Sequence, residues 1–142
     1  MRGALASRAR DLPVTFHGFV RERRRVASLV AGCDVALVTC GVETFGLAAL
    51  EALACGTPVV ATTGGAVGEL VTADAGLVAP PSPRELAGAV RRVIERDPVA
   101  RRGAARAVAE RHPWSRTVAR MLELHDLPTC GARPVAERAV ER

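Results

Sequence analysis

Apolar and polar residues along the chain form blocks that predict strands and helices in alternation. Two continuous apolar runs, CDVALVT (33–39) and PVVAT (58–62), are typical of strands buried on both faces of a parallel sheet. AGLVAP (75–80) predicts a further short strand, and VTFHGFV (14–20) predicts one earlier in the chain.

Other segments carry apolar residues at helical spacing. Leu86, Val90 and Val93 form one stripe, preceded by Ser82 and Pro83, which are suited to the N-cap and the first helical position. Helices are predicted over 22–32, 45–54, 83–96, 98–112 and 114–125, with a short helical turn over 66–71. Strands that alternate with helices predict an α/β domain with a mostly parallel sheet. We expect this domain to span 1–126 and the tail 127–142 to be loose.

Composition narrows the class of protein. The chain has 142 residues, of which 49% are hydrophobic, enough for the core of one domain. No apolar run is long enough to cross a bilayer, and the first ten residues do not resemble a secretion signal. The four cysteines lack CxxC spacing, so neither a metal site nor a disulfide framework is expected. These features predict a cytoplasmic protein with reduced thiols.

The net charge is +5, and every basic residue is arginine. A basic chain could bind nucleic acid, but aromatic residues make up only 3% and the arginines are scattered, so nucleic-acid binding is not predicted. The dense cluster RERRR (21–25) suits contact with an anionic membrane surface. The interpretation we favour is a solvated helix start.

The segment VETFGLAALEALACGTPVVAT (42–62) carries the candidate chemistry. Glu43 follows a predicted strand, at the edge of a parallel sheet where ligands bind. A helix begins just after it, and the free N–H groups of a helix N-terminus suit an anion such as a diphosphate. Gly46 has no side chain and would let a ligand approach the backbone.

Glu51 is a carboxylate in the middle of this apolar helix. It lies about 7–8 Å along the axis from Gly46, close to the distance from a diphosphate to the ribose of the same nucleotide. A carboxylate can accept hydrogen bonds from two adjacent hydroxyls. The sequence thus suggests a nucleotide diphosphate with Glu51 on its ribose and Glu43 near the group beyond the phosphates. The alternative is a structural ion pair, for example with Arg25.

ETFGLAALEALACGTPVVAT resembles the Glu-x7-Glu signature of retaining GT-B glycosyltransferases of family 4, and within that group it is most similar to actinobacterial enzymes that use GDP-mannose. The resemblance covers roughly residues 12–125. It implies that Glu43, the residue assigned to catalysis, contacts hydroxyls of the donor sugar, without a nucleophilic role. It implies that Glu51 binds the ribose. It also assigns donor binding to the backbone of Thr44, Phe45, Gly46 and Leu47, and the nucleotide base to the loop of Gly18, Phe19 and Val20.

The resemblance further implies hexosyl transfer with retention from a nucleotide-diphosphate sugar, without a metal or other cofactor. The fold it implies is a partial Rossmann-like parallel sheet, the C-terminal half of a GT-B fold, with C-terminal helices. The first two strands, which would lie between 14–20 and 33–39, are missing. Those two strands would carry an Arg and a Lys that neutralise the donor diphosphate. The N-terminal domain, which would hold the acceptor site, is also missing.

Three origins fit such a chain: a truncated product, a shortened reading frame, or half of a split enzyme whose N-terminal half is another chain. It would then be the donor-binding part of a glycosyltransferase with an unknown acceptor. The alternative is a non-catalytic remnant or a sugar-nucleotide-binding module. An unrelated Rossmann module is disfavoured because the sequence has no GxGxxG.

Overall fold

A computed structural model describes residues 2–125 of the chain as an α/β fold with ten elements. In chain order these are α1 (Arg2–Arg8), α2 (Arg23–Ala31), β1 (Ala36–Val38), α3 (Leu47–Ala54), β2 (Val59–Thr62), α4 (Val67–Leu70), β3 (Gly76–Ala79), α5 (Pro83–Ile94), α6 (Pro98–Glu110) and α7 (Trp114–Leu124). The five longer predicted helices begin and end within two residues of the observed ones. The predicted tail 127–142 lies outside the described residues.

The three strands form one parallel sheet in the order β1-β2-β3. Ala36 lies opposite Val59, and Val59 lies opposite Gly76, so all three strands end at the same edge of the sheet. The predicted α/β class with a parallel sheet is therefore confirmed.

Helices cover both faces of the sheet. On one face, α3 and α6 pack against alternate residues of β2. On the other face, α5 packs against Val60 of β2 and Ala79 of β3. The alternation along β2 is typical of a strand buried on both faces, as predicted for this segment.

Local capping signals position two of these helices. The Ser82 hydroxyl accepts a hydrogen bond from the Glu85 N–H at 3.2 Å, and Pro83 occupies the first position of α5, as predicted. The Asp97 carboxylate caps α6 in the same way, through the Ala100 N–H at 2.7 Å. Both caps satisfy backbone donors that have no partner within the helix.

The prediction of a strand over 14–20 was wrong. The segment between α1 and α2 has no regular structure, and none of the three described strands pairs with it. Its pattern suits a strand, but a strand forms only where a neighbour supplies hydrogen bonds. Phe19 is 89% exposed as a result.

The strand predicted over 33–39 is shorter than expected and is not buried on both faces. β1 spans only Ala36–Val38, and Leu37 is 53% exposed. The reason is that β1 is an outer strand of the sheet that residues 2–125 form, where only β2 lies beside it. A continuous apolar run is the pattern of an inner strand. In the described part of the chain, β1 is an outer strand instead.

Three arginines of α6 join the C-terminal ends of other helices. Arg101 is 4% exposed, and its guanidinium donates to the carbonyl of Ile94 at 2.6 Å and to the Asp34 carboxylate at 2.6 Å. Arg102 donates to the carbonyl of Ala31 and Arg106 to that of Ala54. Positive charge is favourable at helix C-termini, where carbonyls lack partners. No pattern in the sequence indicates this role.

No helix within residues 2–125 has the length and hydrophobicity needed to cross a membrane. The basic cluster at 21–25 is exposed where α2 begins, and its contact with a membrane stays a prediction.

Candidate functional site

The loop between β1 and α3 lies at the edge of the sheet where all three strands end. It runs from Thr39 to Gly46, and Gly46 has a left-handed backbone with φ 85° just before α3 begins. Such a conformation favours glycine, and it turns the chain sharply into the helix. The sequence therefore placed Glu43 and the helix start correctly relative to the sheet.

The Glu43 carboxylate turns back onto the N-terminus of α3. Its Oε1 accepts hydrogen bonds from the N–H of Thr44 at 3.1 Å and from the N–H of Gly46 at 3.3 Å. The first turn of α3 contains no acidic residue of its own. A single anionic oxygen thus occupies the position where backbone donors and the helix dipole favour negative charge.

Glu51 lies on the outward face of the same helix. Ala49, Ala52 and Leu53 are buried against the sheet and α6, whereas Glu51 is exposed. Among residues 2–125 its carboxylate has no ion pair or hydrogen bond, and the alternative pairing with Arg25 is not found. The outward position removes the cost of burying the charge and leaves the carboxylate free to bind hydroxyls.

A second loop, which follows β2, contacts the first. The Ala66 N–H donates to the carbonyl of Glu43 at 2.9 Å, and Gly64 has a left-handed backbone with φ 100°. The sequence predicted only that Ala66 begins a short helical turn, and it pointed to no role for Gly64. The Gly-Gly pair after a buried strand was the available signal, since paired glycines mark close backbone approach.

An apolar cleft of about 240 Å³ lies beside the start of α3. Phe45, Leu47 and Leu50 line one side, and His112, Trp114 and Thr117 line the other. Trp114, the first residue of α7, is 72% exposed. The structure therefore brings α7 next to Phe45 and Leu47.

The residues assigned to the nucleotide base are not joined to this site. Gly18, Phe19 and Val20 lie in the irregular segment, and no hydrogen bond within the described residues connects them with the loop of Glu43. Of the residues predicted from the sequence, the structure brings together Glu43, Thr44, Phe45, Gly46 and Leu47, with Glu51 on the helix that follows.

Comparisons with known proteins agree with this architecture. The family model described as "Glycosyl transferases group 1" matches residues 1–96. A GDP-mannose-dependent alpha-(1-6)-phosphatidylinositol dimannoside mannosyltransferase of Mycobacterium tuberculosis is 45% identical over 138 residues, 97% of this chain. A D-inositol 3-phosphate glycosyltransferase of Geodermatophilus obscurus is 37% identical over 96% of the chain. The chain therefore belongs to the group 1 glycosyltransferases.

Solved structures show the same fold. Sucrose-phosphate synthase from Thermosynechococcus elongatus matches 88% of the chain with a TM-score of 0.76 and 31% identity. HepE from Anabaena, solved in complex with UDP, matches 87% with a TM-score of 0.69 and 26% identity. Both neighbours are GT-B glycosyltransferases, which confirms the predicted fold.

The chain spans about a third of the length of each of these four proteins. It covers 35% of the mycobacterial mannosyltransferase and 29% of the inositol phosphate glycosyltransferase. It covers 33% and 36% of the two solved chains.

Proposed function

We propose that this chain is the donor-binding part of a retaining glycosyltransferase that transfers a hexosyl group from a nucleotide-diphosphate sugar. The observation that carries the proposal is the pair of N–H donors at the start of α3, both directed at one anionic oxygen, that of Glu43. A phosphate oxygen has the same charge and accepts the same hydrogen bonds. The donors of Thr44 and Gly46 therefore suit one phosphate of the nucleotide.

Glu51 is assigned to the ribose in this proposal. Its carboxylate is exposed, and within residues 2–125 it has no partner that a ligand would need to displace. It follows Gly46 by five residues, or about 7–8 Å along the helix axis. Two ribose hydroxyls could then donate to one carboxylate, with charge-assisted hydrogen bonds.

Glu43 is assigned to the donor sugar. A phosphate that binds the Thr44 and Gly46 N–H groups would repel the carboxylate that occupies them in this structure. The carboxylate would turn outwards, past the phosphate, towards hydroxyls of the sugar. We assign no covalent role to Glu43, because a front-side route through an oxocarbenium-like transition state needs no nucleophile from the protein.

GDP-mannose is the donor we favour. The relative that is 45% identical over nearly the whole chain is named as GDP-mannose-dependent. The base is assigned to Gly18, Phe19 and Val20, where the exposed ring of Phe19 offers a stacking surface. The site for the acceptor is assigned to the part of a glycosyltransferase that these 142 residues do not cover.

A chimera tests the proposal. The 142 residues replace the matching portion of the Mycobacterium tuberculosis relative. Transfer from GDP-mannose to phosphatidylinositol dimannoside is then measured, with UDP-glucose as the alternative donor. We expect binding and transfer with GDP-mannose. A folded chimera that binds neither sugar nucleotide would contradict the proposal, and one that binds GDP-mannose without transfer would favour a sugar-nucleotide-binding module.

A further inference from the structure

Gly65 lies where the loop after β2 meets the loop after β1. A β carbon at position 65 would stand 3.1 Å from the carbonyl oxygen of Cys40, 3.4 Å from the backbone nitrogen of Glu43 and 3.5 Å from its Cβ. The first of these distances is tighter than nine in ten real Cβ contacts, so a β carbon at position 65 would require a neighbour to move by a few tenths of an ångström. The missing side chain is what allows the two loops to touch.

The residues on either side of Gly65 reinforce this contact. Gly64 supplies the left-handed turn with φ 100°, and the Ala66 N–H donates to the carbonyl of Glu43 at 2.9 Å. The backbone of Glu43 is thus held by the loop after β2. Among residues 2–125, its carboxylate accepts hydrogen bonds only from the N–H groups of Thr44 and Gly46, just before α3. A fixed backbone with a displaceable carboxylate is the arrangement needed for a group that reorients when a ligand arrives.

We propose that Gly65 is a positioning residue for Glu43 and thereby sets the preference of the site for a sugar-bearing nucleotide over the bare nucleoside diphosphate. The inference rests on the proposed function, in which Glu43 contacts the donor sugar. The three atoms nearest to a β carbon at position 65 all belong to Cys40 and Glu43. Of the N–H groups assigned to the phosphate, that of Gly46 follows three residues later, and Glu51, assigned to the ribose, follows eight residues later. A displacement of Glu43 therefore acts mainly on the sugar.

The test compares Gly65→Ala with Gly88→Ala and Gly103→Ala in the 142-residue chain. A β carbon at either control position meets nothing within 4 Å. Each protein is titrated with GDP and with GDP-mannose at millimolar concentration, and amide NMR shifts report both dissociation constants. We expect Gly65→Ala to lower the preference for GDP-mannose over GDP about 3- to 10-fold, because Glu43 would be displaced by a fraction of an ångström. The two control variants should have the same preference as the unchanged chain.

Ligand-free spectra provide a readout that does not depend on binding. The amide signals of Glu43 and Thr44 should move in Gly65→Ala and stay in place in both controls. If Gly65→Ala folds, binds GDP-mannose at residues 43–47 and keeps the preference of the unchanged chain, the positioning role of Gly65 is refuted. The proposed donor site would not be affected by that result. If the unchanged chain binds neither ligand near Thr44–Leu47, that result would contradict the proposed donor-binding site. It would then also contradict the role of Gly65, which depends on that site.

A second variant keeps the test decisive if Gly65→Ala fails to fold. Ala66 has φ −62°, which proline adopts without strain. Ala66→Pro removes the N–H that donates to the carbonyl of Glu43 and leaves Gly65 in place. It should lower the preference for GDP-mannose in the same direction, and an unchanged preference in this variant would also overturn the proposal.

Discussion

Gly46 and Val67 are packed so closely that a β carbon at position 46 would stand 2.6 Å from Cγ2 of Val67. Gly46 also has φ 85°, a conformation that side chains disfavour. Gly46→Ala should therefore lower the free energy of unfolding by about 2–4 kcal/mol, as measured by urea denaturation.

Val67→Ala provides the partner for a double-mutant cycle at this contact. Removing the Val67 methyl groups relieves the steric part of the Gly46→Ala effect but not the backbone strain. The double variant should thus lose less stability than the sum of the two single losses, by about 1 kcal/mol. Strict additivity would show that backbone conformation alone restricts position 46 to glycine.

Glu51→Gln should weaken nucleotide binding without changing stability. Charge-assisted hydrogen bonds to the ribose would be lost, at a cost of about 1.5–3 kcal/mol of binding free energy. Because Glu51 is exposed and has no partner among the described residues, the thermal midpoint should stay within error. Calorimetry with GDP and UDP on the chimera measures the first effect.

Glu95→Gln is the matched control for this substitution, since Glu95 is also an exposed glutamate, at the end of α5. It should leave nucleotide affinity unchanged. Equal affinities of Glu51→Gln and the unchanged protein would refute the ribose role, and a large loss of stability would support a structural one.

Glu43→Ala should separate the sugar from the nucleotide. The substitution removes the carboxylate that occupies the N–H groups of Thr44 and Gly46, so GDP binding should be kept or slightly strengthened. Binding of GDP-mannose, or the rate of transfer by the chimera, should fall. Equal weakening for both ligands would place Glu43 at the nucleotide instead.

Arg101→Met should destabilise the fold more than Arg106→Met. Arg101 is buried and donates to two carbonyls at the end of α5 as well as to Asp34. Asp34 is 64% exposed, so water can replace part of the lost ion pair. We expect a loss of about 2–3 kcal/mol for Arg101→Met and below about 1 kcal/mol for the exposed Arg106. Similar losses in urea denaturation would contradict this difference.

One edge of β1 has no strand beside it in the described part of the chain, and this edge should cause the isolated 142-residue chain to self-associate. The backbone N–H and C=O groups of Ala36 and Val38 face β2, so the N–H and C=O groups of Leu37 point away from β2. The side chain of Leu37 is itself exposed, which favours pairing with another chain. We expect a mass above that of a monomer in light scattering, weak donor binding and negligible transfer. A stable monomer that transfers sugar would overturn this expectation.

Leu37→Lys tests whether this edge is responsible, because a charge on an outer strand opposes pairing with another chain. It should reduce self-association. Val99→Lys, at an 80% exposed valine of α6, is the control and should leave the mass unchanged.

The sequence by itself determined the elements whose signals are local. Ser82 and Pro83 predicted the start of α5, and the run PVVAT predicted a strand that is buried on both faces. The position of Glu43 ahead of a helix followed from the order of apolar run, polar loop and helical spacing. Caps, helical periodicity and continuous apolar runs depend on neighbours within a few residues, so one sequence is enough to predict them.

Only the tertiary structure decided the features that depend on distant partners. VTFHGFV has the pattern of a strand and forms none, because no described strand lies beside it. The exposure of Leu37 follows from the outer position of β1, and Arg101 finds its partner Asp34 67 residues away along the chain. Gly65 lies close to the backbone of Glu43 only because two strands are parallel neighbours, so that the loops after them meet at one edge of the sheet.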